Sequence, residues 1–163
     1  MHNKVQPAKQ AANRSAPPKV NIREALLEEL EKIHKIECLA YPHPWSLRML
    51  ETSLIGDHIF LVMEEDGYLI GHMIFEQILD ELHLYNICVL PKLRRQGKGQ
   101  FWLDHLFLHG SINSAVRIHL EVRTSNRAAQ KLYLGNGFKQ VGYRRNYYRS
   151  TKYPEDALVM TRP

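Results

Sequence analysis

The stretch Asn86-Ile87-Cys88-Val89-Leu90-Pro91-Lys92-Leu93-Arg94-Arg95-Gln96-Gly97-Lys98-Gly99-Gln100 constrains the fold more than any other. It opens as an apolar strand and breaks at Pro91, which has no N–H to give to a ladder. A short basic loop follows, and Gly97 and Gly99 lead into an apolar-periodic segment, residues 101–109, that reads as a helix. Strand, glycine-bearing loop and helix together aim unpaired backbone N–H groups and a positive dipole end at an anion. The glycines leave room for a phosphate to touch main chain, and Arg94, Arg95 and Lys98 add charge. Two well-known phosphate motifs are excluded. Gly99 is followed by Gln100-Phe101, so there is no G-x-x-x-x-G-K-[ST]. Residue 102 is Trp, so there is no G-x-G-x-x-G. What remains is R-x-x-G-x-G, Arg94 to Gly99, directly after a strand and a proline.

The rest of the chain supplies an α/β setting for that loop. Residues 20–23 alternate as a short strand, although Asn21 with Glu24 would equally cap a longer helix. Leu26, Leu30, Ile33 and Ala40 repeat at helical spacing and predict a helix over 26–40. Pro42 and Pro44 end it, leaving Tyr41 and Trp45 on a stiff loop that suits either a peptide entrance or packing. Ser46 is placed to cap a second helix to about residue 54. Residues 58–65 and 68–78 flank Asp66-Gly67 and predict a hairpin, with a third strand at 82–89. A helix to residue 113 then crosses over to a strand at 117–123, which the crossover makes parallel to 82–89. Ser125 or Asn126 caps another helix to residue 134, and Gly135-Asn136-Gly137 stops it. Two strands, 138–148 and 157–161, close the domain.

Residues 1–19 lack hydrophobic period and read as a disordered basic tail before a domain at 20–163. A solvated extension is the plain reading of that tail, and a contact with RNA or a ribosome the alternative. No run of about 18 apolar residues is present to span a membrane, and the basic start lacks the apolar core of a secretory signal. Cys38 and Cys88 read as small buried hydrophobes in a reducing cytoplasm. Charge is divided. Residues 24–91 hold thirteen acidic and three basic side chains, whereas 92–152 hold two acidic and thirteen basic. Such asymmetry suits a protein that grips a polyanion with one half and meets a cation with the other.

Parallel neighbours joined by an anion-reading helix place a ligand at the strands' carboxyl ends. Two segments converge there. In residues 117–123, Glu121 shares a face with His119 and Arg123, opposite Ile118, Leu120 and Val122. An ion pair with an arginine is its plain alternative role. The second segment runs from Thr124 to Phe138 and contains Asn126 and Tyr133. Read together, L-E-V-R-x-S-N-x-x-A-x-x-L-Y-x-x-x-G-F closely resembles the ribosomal-protein-alanine N-acetyltransferases, the RimI branch of the GNAT superfamily. The loop at 94–99, Pro44-Trp45-Ser46, Arg144-Arg145-Asn146-Tyr147-Tyr148 and Glu155-Asp156-Ala157 extend the resemblance over about residues 20–162.

The resemblance implies a GNAT fold: a central mixed, mostly antiparallel sheet with splayed parallel strands and flanking helices. It implies an acetyl-CoA donor and, as acceptor, the N-terminal alanine of a small-subunit ribosomal protein. By position, Ile87, Cys88 and Val89 match the strand that pairs with the pantetheine arm. Arg95, Gln96, Gly97, Lys98, Gly99 and Gln100 match the pyrophosphate loop, and Asn126 matches a cofactor-touching asparagine. Glu121 matches the general base and Tyr133 the general acid. Arg94 stands where relatives often carry Gln, a harmless exchange beside phosphates. Bulky Phe101-Trp102 departs from the small residues usual there.

These roles make chemical sense. An α-amine with a pKa of about 7.7–8.0 is close to losing its proton at neutral pH, unlike a lysine amine at about 10.4. A single carboxylate is then base enough, directly or through a water, and no covalent enzyme intermediate is required. A rival reading is a GNAT acting on a small amine or lysine. Another, of a different class, is a non-catalytic acyl-CoA-binding or ribosome-associated module. No metal is expected: His105 and His109 stand four apart but lack an H-E-x-x-H context. Cys88 has no His or acid beside it in sequence to make it a catalytic thiol.

Overall fold

The computed structural model describes residues 18–149 and 153–163. The predicted basic tail, but for its last two residues, lies outside them. Strand β1 (Val20–Glu24) leads into a 3-10 turn at Leu27–Glu29 and helix α1 (Leu30–Ala40). The helix expected from residue 26 therefore starts as a tighter turn. The Glu29 carboxylate accepts the Leu26 N–H at 3.0 Å and is held in turn by Arg23 at 2.6 Å. Asn21 belongs to β1 and caps no helix among the described residues. Helix α2 (Leu47–Ile55) starts where expected, with Ser46 Oγ accepting the Met49 N–H at 3.2 Å.

Strands β2 (Ile59–Glu65), β3 (Tyr68–Ile78) and β4 (Glu81–Val89) form the predicted antiparallel meander. Asp66 and Gly67 turn the hairpin with φ of 51° and 82°, the left-handed pair that a tight two-residue turn requires. Helix α3 (Lys98–Ile112) crosses over to β5 (Arg117–Arg123), which pairs parallel with β4 as the crossover predicts. Helix α4 (Arg127–Gly135), β6 (Lys139–Tyr148) and β7 (Glu155–Arg162) complete the chain. The seven strands lie in the order β1-β2-β3-β4-β5-β7-β6, antiparallel except for β4 against β5.

Two irregularities make the site. Ile74 pairs with Asn86 but Phe75 pairs with Leu84, so Tyr85 is an extra residue in β4. Such a bulge reverses side-chain parity. Leu82 and Leu84 pack with Trp102, Leu103 and Leu106 on the α3 side, whereas Cys88 packs with Ile36 and Ala40 of α1. The second irregularity follows directly. The β4–β5 ladder runs only from Glu81–Arg117 to Leu84–Leu120. Beyond it β5 stays with β7 as far as Arg123–Ala157, and β4 stays with β3. The two parallel strands part at the bulge.

Helices pack on both faces of the sheet but leave the β5–β6 end of one face open. On one side Trp102, Leu103, Leu106 and Phe138 are essentially inaccessible; on the other, Leu30, Ile33 and Leu50 pack on Phe60, Val62 and Ile74. Strand β2 is apolar without alternation because both its faces are buried. Trp102, the bulky departure in the sequence, fills the core and donates its indole N–H to the Cys88 carbonyl at 3.3 Å, while Phe101 is exposed. Of the two cysteines expected inside, Cys38 is exposed on α1, beside His34 at 3.5 Å. No helix among the described residues is long and apolar enough to cross a membrane.

Gly71 sets how closely β3 approaches the end of β4. A Cβ there would stand 2.2 Å from the Cys88 carbonyl oxygen and 3.3 Å from Val89 Cα. Gly71→Ala is expected to cost about 1–3 kcal/mol through forced backbone displacement, read as a lower urea midpoint.

Candidate active site

The loop between β4 and α3 has the geometry of an anion site. After a 3-10 turn at Pro91–Leu93, Arg95 and Gly97 adopt left-handed φ of 63° and 78°. The first donation into α3 is Phe101 N–H to the Gly97 carbonyl, 2.9 Å, so the preceding N–H groups remain for a ligand. A left-handed residue followed by a helical one gathers such donors into a concave cluster. Space beside Gly97 is open, while Gly99 lies against Leu132 of α4, where a Cβ would come within 3.1 Å. One glycine therefore shapes the loop and the other lets α3 and α4 pack.

The basic side chains are distributed differently from the expectation that all three add charge there. Arg94 turns beneath α1, donating to the Ala40 carbonyl at 2.7 Å and the Val89 carbonyl at 3.3 Å, with Tyr41's ring 5.8 Å away. The unsatisfied carbonyls and negative dipole end of a helix C-terminus attract such a cation. Lys98 is buried and paired with Glu65 of β2. Arg95 makes no ion pair or hydrogen bond with the described residues and stands exposed on the loop. Gln96 donates to the Lys92 carbonyl at 3.2 Å, and Gln100 exchanges hydrogen bonds with Asn136 at 2.7 and 2.9 Å.

At the end of β4 the carbonyls are engaged one by one: Ile87 by the Tyr41 hydroxyl, Cys88 by Trp102, Val89 by Arg94. Burial, then the neighbouring Cys88 and Tyr133, raise the Tyr41 phenol well above its ordinary value. Tyr41 packs on the α1 side with Ile36, Ala40 and Cys88, and Tyr133 belongs to the cluster on the α3 side. Pro42 signalled the turn that carries Tyr41, but nothing in the sequence pointed to its carbonyl partner.

Glu121 is the first residue of β5 beyond the β4 ladder. Its carboxylate is half-buried, 3.2 Å from Arg144 of β6, and Arg144 lies 5.3 Å from the Tyr147 ring. The bulge residue Tyr85 shares this face. It donates to Glu76 at 2.8 Å and packs edge-on against His58. Burial, the Glu76 acceptor and the charge of Glu121 push its phenol up to about 12. Tyr133 is buried on α4 against Phe138, ring centroids 5.5 Å apart; burial, with Tyr148 nearby, holds its phenol well above the ordinary value. Asn126, rather than Ser125, caps α4, its Oδ1 accepting the Ala129 N–H at 3.1 Å.

Glu155 at the start of β7 fixes the turn between β5 and α4. It accepts the Ser125 N–H at 2.7 Å, the Thr124 hydroxyl at 3.2 Å and Arg123 Nη1 at 3.1 Å. Burial opposes the charged form, yet these donors outweigh it and hold the carboxyl below the ordinary range.

Residues 23–138 match the model of the Acetyltransferase (GNAT) family. The chain belongs to the GNAT family. The chain is 35% identical over 135 residues to the [ribosomal protein bS18]-alanine N-acetyltransferase of Escherichia coli (strain K12), covering 83% of this chain and 91% of that one. It is 33% identical over 144 residues to a putative [ribosomal protein bS18]-alanine N-acetyltransferase of Bacillus subtilis (strain 168), covering 87% and 94%. The crystal structure of the ribosomal-protein-S18-alanine N-acetyltransferase from Escherichia coli superposes with a TM-score of 0.82 at 33% identity, covering 89% of this GNAT chain and 94% of the other.

The Glu155 contacts carry a pH signature. A depressed folded pKa stabilises above the unfolded value and loses that stability as pH falls through the folded one. Glu155→Gln is expected to lower stability by about 1–2 kcal/mol at pH 7, and urea titrations should show the gap closing as pH drops below about 4.3.

Proposed function

We propose that this GNAT protein transfers the acetyl group of acetyl-CoA to an N-terminal α-amine, the acceptor being the terminal alanine of a small-subunit ribosomal protein. The observation that carries this reading is the 35% identity, over most of both chains, to an enzyme named for that reaction. The bound donor supplies an activated thioester carbonyl. The residues present suit its phosphates: free N–H groups ahead of Phe101, two left-handed loop residues and an exposed Arg95. Gln96, Gly97, Lys98, Gly99 and Gln100 hold the pyrophosphate through main chain, with Arg94 and Lys98 bracing the loop from behind. Ile87, Cys88 and Val89 line the pantetheine arm where β5 has left β4, and Asn126 adds a contact from the α4 cap.

Glu121 accepts the amine proton, directly or through a water, as nitrogen attacks the carbonyl. Its place on the open face, among Tyr85, Arg144 and Tyr147, suits a peptide N-terminus arriving from that side. Tyr133 gives its proton to the departing sulfur. A phenol kept protonated by burial is in the correct state for an acid. An N–H near Val89 steadies the oxygen that gains charge. The acidic 24–91 half favours a basic ribosomal protein, and the work belongs in the cytoplasm. A ribosome contact by the basic residues before 20 completes the proposal.

Glu121→Gln is expected to lower kcat by roughly 10²–10⁴ with acetyl-CoA affinity nearly unchanged by calorimetry; an unaltered rate removes Glu121 from the role. Substrate class is decided by mass spectrometry of two lysine-containing peptides, one with a free N-terminal alanine and one blocked there. A single acetyl group on the free alanine alone is the expected result. Label on lysine moves the acceptor to a side chain. No label in either peptide, with acetyl-CoA still bound, favours a binding module.

A further inference from the structure

Three buried side chains converge between α1 and the sheet: Glu37, His72 and Cys88, exposed by 1%, 0% and 0%, the last on the strand whose main chain is proposed to line the pantetheine arm. His72 and Cys88 are direct cross-strand partners on β3 and β4, and Glu37 reaches down from α1. One ligand-type atom from each lies within 4.8 Å of the other two. Glu37 Oε2 and His72 Nε2 face each other at 3.2 Å, an ion pair only when the imidazole is protonated and off the geometry of a hydrogen bond. Glu37 Oε1, by contrast, is held by the Trp45 N–H at 3.1 Å and Asn86 Nδ2 at 3.2 Å. One carboxylate oxygen is thus oriented by two donors, and the other faces an imidazole nitrogen and a thiol.

We propose that Glu37, His72 and Cys88 supply three ligands of a zinc site that clamps α1 to the end of β4. Sulfur, nitrogen and oxygen donors are the set zinc accepts, and its bond lengths put ligand atoms about 3.3–3.7 Å apart, against 3.2 Å between Glu37 and His72 and no more than 4.8 Å for any pair here. Charge argues the same way. A buried carboxylate is costly without a full counter-charge. One Zn²⁺ with a carboxylate, a thiolate and a neutral imidazole sums to zero. Binding releases the Cys88 thiol proton to solvent as the Zn–S bond forms, and the metal satisfies Glu37 Oε2 and His72 Nε2 together. Trp45 and Asn86 act as the outer partners that fix a ligating carboxylate. His72 Nδ1 stays without an acceptor among the described residues. The ligands stand at 37, 72 and 88 on three elements, so no sequence motif announces them.

The site is independent of the acetyl acceptor, and its test needs no turnover. Full-length protein is stripped with a chelator, reloaded with one equivalent of Zn²⁺ or Co²⁺, desalted and assayed for metal by mass spectrometry. About one zinc per chain is expected, with a higher Tm than the stripped form and a thiolate-to-cobalt charge-transfer band in the Co²⁺ protein. Cys88→Ala and His72→Phe should each reduce retained zinc at least tenfold. Cys38→Ser should leave it unchanged, which separates the buried site from the exposed Cys38–His34 pair. The cobalt spectrum of the wild type stands even if a variant fails to fold. No retained metal, or retention lost in Cys38→Ser and kept in Cys88→Ala, overturns the proposal.

Discussion

Everything at the site depends on β4 and β5 being parallel neighbours for four residue pairs and no further. Were the ladder to continue, main-chain groups of Asn86 to Val89 would be consumed by β5 and no ligand could enter between the strands. The extra residue Tyr85 brings about the break. It bends β4 away and turns Cys88 from the α3 face to the α1 face. The cost of parting two strands is polar backbone left without partners. Side chains meet part of that demand: Tyr41, Trp102 and Arg94 each take one carbonyl at the end of β4.

Much of this was legible in the sequence because it is local. Hydrophobic period, the Asp66-Gly67 turn, Ser46 and the crossover to 117–123 each report nearby physics, and the elements formed accordingly. The glycine loop before α3 was legible for the same reason. The partners of its charges were not. Arg94 goes to Ala40 and Lys98 to Glu65, residues 54 and 33 positions away, and only the fold decides that a basic residue in an anion loop faces backward. Cys38 misleads in another way: it sits in an apolar-looking helix stretch whose register exposes both it and Leu39. The bulge at Tyr85 leaves no glycine or proline as a sign, and the Glu37–His72–Cys88 cluster depends on it.

Glu121 shows how the plain reading of a strand carboxylate plays out. It does pair with an arginine, but with Arg144 of β6, while Arg123 goes to Glu155 and the ring of Tyr148. The pair is open to solvent on the Arg144 side, a half-exposed guanidinium and not a sealed ion pair. Tyr133 lies in the opposite kind of environment, wholly enclosed. The contrast between an accessible carboxylate and an enclosed phenol follows from their elements, one on the open face of a strand, the other on the core side of a short helix.

The outer strands bear on how this protein behaves at high concentration. β1 is only five residues long, and its Arg23 is already bound to Glu29 and Glu64. β6 is interrupted by two register shifts and carries Lys139, Arg144 and Arg145. Short, broken and positively charged borders give a neighbouring chain no continuous row of donors and acceptors to zip onto. A seven-stranded sheet with exposed apolar residues such as Val141 and Tyr143 at its rim is thereby discouraged from growing into a fibre.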